Sequence, residues 1–440
     1  MKKWTLILVL FLNACYSFGQ QDTSLKFETF LDNPFLCPNK QEAYLYIDLK
    51  SRPTGKRIPL NISVVFDRSG SMEGDRIYYG KKAIEYLIDQ LQPDDILSIV
   101  IYDHEARVLH GSKPVTNKAE LKRKLEHIQA RGSTNMSAGL ELGYQEVLST
   151  YDRNKINRIF LFSDGHPNEG VTDPYSLERM VSSYSRRDDV SISTFGVGHE
   201  YNEYLLHDIA ESGAGNYYYI QKSIDITTDF ANEIVLLNAV TAQHATLSIK
   251  YPLENFTINQ VYGYPYHIVN NQIYIDLKEI HPSESNGILI KFSVKKPPTI
   301  PIIFNTYLSY YSSLRNSNFS IERTNMLSPN TAGEDCSKQI NQDVLDKIIY
   351  YTSHYLMEAA VKDVENNNIT SAKQKLEQGK NLISNSTNSK PPPYLLSQYK
   401  AMDDYQNSLA DWHTKSEENR KHVQKNAHYN NYKIRKQRKS

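Results

Sequence analysis

Between Asn61 and about Asn238, apolar residues fall alternately into short unbroken runs and into runs with helical spacing. Ile62–Phe66 is an unbroken run, as in a strand buried on both faces. Ala83, Ile84, Leu87, Ile88 and Leu91 then recur at helical spacing within residues 80–91. The same reading predicts strands over 96–102, 159–162, 192–197 and 217–220, and helices over 121–128, 136–148, 175–184 and 204–210. Such alternation predicts right-handed crossovers, and so an α/β fold: a Rossmann-like, doubly wound parallel sheet covered by helices. Ligands of these sheets bind beyond the carboxyl ends of the strands, where the winding reverses.

The flanks read differently. Ala43–Leu49 alternates Tyr44, Tyr46 and Asp48 against Leu45, Ile47 and Leu49, which suggests an antiparallel strand. Similar stretches at 246–249, 273–277 and 288–294 have Pro252, Pro265 and Pro282 between them. These pieces predict a β-sandwich built from both sides of the α/β part, which becomes an insertion. A late strand is expected at 302–307, and the polar stretch after it reads as a linker. Val344, Ile348, Tyr351, Tyr355 and Ala359 share one helical face, and Ala372, Leu376 and Leu382 start a second helix after Asn366–Asn368. This is an αα-hairpin. A third helix, marked by Tyr399, Met402, Tyr405, Leu409 and Trp412, follows Pro391–Pro393. The expected organisation is a signal peptide at 1–19, a β segment at 20–58, the α/β domain at 59–238 and the β-sandwich at 239–311. A linker at 312–340, helices at 341–415 and a basic tail at 416–440 complete it.

Charge changes this picture only locally. Lys+Arg and Asp+Glu are both 50 in 440 residues, which steers the chain toward neither nucleic acid nor acidic polymers. The tail from Lys415 to Lys439 is strongly basic, with Glu417 and Glu418 as its acids, and reads as a solvated segment. Lys2 and Lys3, the apolar run Thr5–Leu12 and the small residues Ser17 and Gly19 form a Sec-type signal. The expected location is therefore outside the cytoplasm: periplasm, cell surface or medium. No later stretch approaches the ~20 apolar residues of a transmembrane helix. Leu12-Asn13-Ala14-Cys15 resembles a bacterial lipobox with an awkward Asn13, and lipid on Cys15 would turn a soluble protein into an anchored one. Cys37 and Cys336 remain, either as a disulfide tying the N-terminal segment to the region after the main domains or as two free thiols.

The chemistry gathers at the ends of the predicted strands. Asp67, Ser69 and Ser71 alternate in Asp67-Arg68-Ser69-Gly70-Ser71, on the loop that leaves the first buried strand. Gly132-Ser133-Thr134-Asn135 lies just before a helix, and Ser163-Asp164-Gly165 just after the next apolar strand. Hydroxyl and carboxylate oxygens are hard ligands, suited to Mg²⁺, Mn²⁺ or Ca²⁺. Arg68 adds a permanent positive charge to this loop, placed either to repel an ion or to help hold an acidic partner. The loop His166-Pro167-Asn168-Glu169 is well placed to contact a ligand.

This order of motifs resembles the metal-ion-dependent adhesion site of von Willebrand factor type A domains. The wording around them, PLNISVVFDRSGSM, STNMSAGL and RIFLFSDGHPNEG, is similar too. The sandwich and helical hairpin look like bacterial exported proteins related to inter-alpha-trypsin-inhibitor heavy chains and regulators of calcium-activated chloride channels. The resemblance implies that Ser69 and Ser71 bind a divalent ion directly, Thr134 in some states, and that Asp67 and Asp164 act mainly through bound water. It also implies that a Glu or Asp carboxylate of a protein partner completes the coordination.

Enzyme signatures fail on inspection. Gly74 to Lys81 is misspaced for a phosphate loop and lacks its hydroxyl, since Lys82 follows Lys81. His104-Glu105 and His199-Glu200 are followed by Val108 and Glu203 where a zinc protease needs His. No Gly-x-Ser-x-Gly elbow is present. The expectation is an exported, metal-dependent binding or adhesion protein and not an enzyme. A different class, an envelope assembly or scaffold subunit working as in metal chelatases, stays open.

Overall fold

The computed structural model describes residues 24–427 except 38, 54, 199–201, 221–230, 283–284, 313, 330–335, 387–390, 418, 421–422 and 425–426. The expected signal segment with Cys15, and most of the basic tail, lie outside the described residues. The chain begins with β1 (Leu25–Leu31), β2 (Phe35–Leu36) and β3 (Glu42–Ser51). It then builds the α/β unit from β4 (Leu60–Asp67), α1 (Asp75–Gln90), β5 (Ile96–Tyr102), β6 (Ala106–Pro114), α2 (Lys118–Glu126) and α3 (Met136–Ser149). β7 (Ile156–Ser163), α4 (Pro174–Asp188), β8 (Ser191–Val197), α5 (Glu203–Ser212), β9 (Ala214–Ile220) and α6 (Ala231–Asn238) complete that unit.

Its sheet has the order β6-β5-β4-β7-β8-β9, so the winding reverses at β4. β4 and β7 are buried along their whole length, as their unbroken apolar runs require. Ile62, Val64 and Phe66 of β4 join the core under α1, α2 and α6, while Val65 joins the core under α3, α4 and α5. The sheet is not all parallel: β6 turns back from β5 as an antiparallel edge strand. Half-wet along its length, β6 shows neither an unbroken apolar run nor a clean alternation, which is why the pattern hides it.

Helix α3 approaches the sheet unusually closely. A Cβ on Gly143 would stand 2.3 Å from Cγ2 of Val65, and one on Gly139 would stand 2.6 Å from the Tyr102 ring. Gly143→Ala should therefore push α3 off the sheet and cost about 1–3 kcal/mol, read as a lower urea midpoint with an unchanged slope. Wild-type stability in that variant would show that α3 has room to spare.

After α6 come β10 (Ala242–Lys250), β11 (Phe256–Tyr262), β12 (His267–Val269), β13 (Gln272–Ile280), β14 (Ser285–Val294), β15 (Ile302–Ser312) and β16 (Ser317–Pro329). They form two sheets, β1-β3-β14-β11 and β12-β13-β10-β15-β16-β2, whose buried residues share one hydrophobic cluster. The chain thus enters the α/β unit from one sheet and leaves it into the other. Residues 312–340, expected as a linker, instead contain β16, which pairs with β15 along its length. Its inward positions are partly polar, which breaks the apolar period. Arg323 donates to the Phe27 carbonyl, and Asn325 exchanges hydrogen bonds with Thr29.

The helices α7 (Gln342–Glu365), α8 (Ile369–Ser384) and α9 (Pro393–Ser408) then follow. Tyr46, Tyr262 and Leu289, from the four-stranded sheet, share a cluster with Val344, Tyr351 and Met357 of α7. Tyr351 Oη donates to the Gly287 carbonyl at 2.6 Å. β3 is therefore covered on both faces, and Asp48 is buried with the apolar residues of its strand. Cys37 is disulfide-bonded; the side chain of Cys336, its expected partner, lies outside the described residues. No described helix is long and apolar enough to cross a membrane.

Candidate functional site

All five residues expected to hold an ion lie at the carboxyl end of the parallel sheet, where its winding reverses. Asp67 closes β4, Asp164 follows β7, and Thr134 stands two residues before α3. Asp67, Ser69, Thr134 and Asp164 are buried, whereas Ser71 is exposed. The Ser69 and Ser71 hydroxyls are 3.1 Å apart, close enough to face one point.

Backbone bonds lock the loops together. Gly70 N donates to the Gly132 carbonyl at 2.9 Å, and Arg131 N to the Arg68 carbonyl at 2.7 Å. Asn135 N donates to the Asp103 carbonyl, and its side chain caps α3 by accepting from Ala138 N. Asn168 Oδ1 accepts from Thr134 N at 2.8 Å, and the Thr134 carbonyl accepts from Asn168 N and Glu169 N. Asn168, expected as a ligand contact, therefore serves to hold Thr134. The turn at Gly170 needs φ +68°, and a Cβ there would lie 2.2 Å from Asn135 Oδ1.

The two carboxylates have unequal surroundings. Asp67 accepts from Ser69 N at 2.8 Å, Ser163 Oγ at 2.7 Å and Tyr102 Oη at 3.2 Å, all neutral donors. Burial, and then the nearby charge of Asp164, push its carboxyl up to about 6. Asp164 is buried as well, which by itself raises its pKa; the neighbouring His166 and Ser71 side chains and the charge of Arg76 outweigh this and hold it below the usual value. Arg76 Nη1 reaches Asp164 Oδ2 at 3.4 Å and the Ser71 carbonyl at 2.5 Å. His166 Nδ1 stands 3.6 Å from Asp164 Oδ1, beyond hydrogen-bond length, and that buried oxygen accepts no hydrogen bond.

Arg68 does not face this cluster. It forms an ion pair with the buried Asp103 at 2.6 Å, which Arg131 Nε also meets at 2.8 Å. Its charge is thus balanced by Asp103, and its burial keeps the side chain from a partner. Among the described residues, Asp103, His104 and Glu105 also bring three ligand atoms close together. Arg68 and Arg131 already neutralise Asp103, so that group is poorly suited to a cation.

The donor set of the main cluster fits a divalent ion: hydroxyl and carboxylate oxygens, one of them buried and bare. Two contributors, Tyr102 and Arg76, escaped the sequence reading, and two more, Ser163 and Asn168, were named in their motifs without these roles. Tyr102 sits opposite Asp67 in the β4–β5 register, so strand alignment could have found it. Ser163 was visible beside Asp164, and Asn168 in the following loop. For Arg76 the sequence holds no signal, since only the packing of α1 brings it to Asp164.

Comparison with known proteins decides the nature of this unit, because residues 61–233 match the model of the von Willebrand factor type A domain. The chain carries a von Willebrand factor type A domain. The uncharacterized protein YfbK of Escherichia coli (strain K12) is 38% identical over 186 residues, which are 41% of this chain and 32% of that protein. The inter-alpha-trypsin inhibitor heavy chain H2 of Sus scrofa is 30% identical over 166 residues, 36% of this chain and 18% of that one. The aligned part thus spans a minor share of either relative's length. Among solved structures, a von Willebrand factor type A protein from Catenulispora acidiphila superposes with a TM-score of 0.69 at 17% identity, covering 88% of this chain and 90% of that chain. The ArnB paralog VWA2 from Sulfolobus acidocaldarius gives 0.62 at 14% identity, covering 92% and 98%. These two likenesses show the fold, and they extend well beyond the A domain itself.

Divalent metal binding is common in A domains, as are protein–protein interaction and adhesion. In this A domain the ion, when bound, would supply an electrophilic centre. Ser69, Ser71 and Thr134 would hold it through hydroxyls, and Asp67 and Asp164 through their charge.

Proposed function

We propose that this is an exported binding protein and not an enzyme, whose A domain holds one divalent cation, Mg²⁺ or its substitutes Mn²⁺ and Ca²⁺. Asp67, Ser69, Ser71, Thr134 and Asp164 hold that ion, and a Glu or Asp carboxylate of a partner protein completes it. The observation that carries this reading is a shortfall of counter-charge: Arg76 reaches Asp164 at 3.4 Å, but none of the donors to Asp67 is a cation. Asp67 and Asp164 are buried side by side, every donor to Asp67 is neutral, and Asp164 Oδ1 accepts nothing. Buried carboxylates without a cation are costly, and a divalent ion removes that cost. Few anionic oxygens would touch the ion directly, which leaves it electrophilic toward an outside carboxylate. Export is supported by the N-terminal signal pattern and by the disulfide at Cys37.

Calorimetric titration of the purified protein with Mg²⁺, Mn²⁺ and Ca²⁺ tests the site. One ion per chain is expected, with Ser69→Ala/Ser71→Ala weakening it on the order of 100-fold or more. Equal affinity in that variant would remove these hydroxyls from the site. Partner capture that persists unchanged in chelator would remove the ion from recognition.

A further inference from the structure

A cleft of about 770 Å³ lies where the A domain meets the six-stranded sheet. Its walls include the C-terminal ends of α3 and α4, at Leu148 and at Arg186, together with residues of β10, β12 and β13. Helices of a doubly wound unit run against its strands, so these ends lie opposite the carboxyl ends that carry the ion site. The cleft is therefore a separate place on the molecule.

Its floor is built with unusual backbone. Asp189, His244 and Lys278 all line the cleft and all have left-handed φ, at 55°, 52° and 64°. For lysine this conformation is rare, and such residues cluster where side chains must be aimed. His244 sits in an irregularity of β10, between Ala242 and Thr246, that frees it from the ladder. The three side chains meet: His244 Nδ1 and Lys278 Nζ both contact the Asp189 carboxylate. The Nε2 of His244 is buried and has no hydrogen-bond partner.

The carboxylates of the cleft are already engaged. Asp188 binds Arg187 and the Tyr144 hydroxyl, Asp189 is held as described, and Asp276 accepts from Thr246. Arg153 and Arg186 also line the cleft, and no described residue offers either of them a carboxylate. Tyr151 and Leu148 add exposed apolar surface beside them. Two uncompensated guanidiniums call for an anionic ligand, since their forks match planar oxyanions. β12, which contributes His267 to the wall, is the edge of its sheet, and its residues His267, Ile268 and Val269 are exposed. An open strand edge offers backbone donors and acceptors to an extended peptide.

We propose that this cleft binds an extended acidic peptide, its carboxylates on Arg153 and Arg186, its backbone along β12 and its apolar side chains against Tyr151 and Leu148. Nothing in this depends on the ion site. Fluorescence anisotropy with the full chain in chelator tests it, using a labelled short peptide that alternates Glu and Val. Controls are the Gln–Val counterpart and an oligouronate of similar charge. The Glu–Val peptide should bind and the Gln–Val peptide should not. Arg153→Gln/Arg186→Gln should weaken binding about tenfold or more, while Asp67→Asn leaves it unchanged. Both arginines are exposed, so the double variant keeps its fold. Equal binding by that variant, no binding at millimolar peptide, or binding of the oligouronate alone would each overturn the proposal.

Discussion

Arg158→Ala should cost about 3–5 kcal/mol of stability, because it strips the counter-charge from the buried Glu233 and the largely buried Glu279. Arg158, on β7, is almost fully buried; its Nη1 donates to Glu233 of α6 at 2.6 Å and its Nη2 to Glu279 of β13 at 2.6 Å. Glu233 further accepts from Ser193, Asn216 and Tyr218. Burial alone would raise both glutamates, yet Arg158 and their other partners hold them below the ordinary 4.5. A depressed carboxyl contributes stability above its unfolded pKa and loses it as pH falls through the folded one. The wild type should therefore weaken below about pH 4.5. In the alanine variant the sign reverses: the unpaired glutamates prefer their protons, so acidification from neutral pH stabilises it. Urea unfolding of both proteins across this range reads the difference, and Arg158→Met/Glu233→Gln/Glu279→Gln should recover much of the loss. A cost under about 1 kcal/mol for the alanine variant would contradict the pairing.

The second large effect has opposite signs with and without metal. Asp67 is pushed up to about 6 from an ordinary 3.8, so its ionisation at neutral pH opposes folding of the metal-free chain. The penalty appears as pH rises from about 4 through about 6, and at pH 7 it amounts to roughly 3 kcal/mol. Asp67→Asn removes the charge and keeps the shape, and the Ser163 and Tyr102 hydroxyls can turn to accept from the new amide. In chelator at pH 7 this variant should melt higher than wild type. With divalent ion at about 1,000 times its dissociation constant the order should reverse, since the ion then adds about 4.1 kcal/mol to the wild type alone. A variant less stable than wild type in chelator would mean that the carboxylate is not a buried liability awaiting a cation.

The elements that were legible are those with uniform surroundings. β5 was read at its full length, and β4 and β7 within it, because burial on both faces leaves an unbroken apolar run. The convergence of the candidate cluster was legible because its residues lie at fixed offsets from those strands. β6 and β16 were not, since one is half-wet and the other fills inward positions with Arg323 and Asn325, satisfied by β1. Arg68 shows a further limit: its neighbours in sequence placed it beside the ion, while its partner Asp103 lies on another loop. Nor could any local pattern disclose the cleft, whose floor joins Asp189, His244 and Lys278 from three separate segments.

Insertion of the A domain between β3 and β10 also decides how the molecule bears a pull. Both of its connections return to the paired sheets, and only three residues lie between the end of α6 and the start of β10. Tension applied between β1 and β16 is borne first by the strands of those sheets and their shared core. The A domain hangs to one side of that line, so the ion cluster is shielded from shear until the sheets themselves part. A shift of α6, by contrast, tugs directly on β10, a strand paired on both sides. For the exported binding protein proposed above, this arrangement would separate the strength of the tether from the grip of the site.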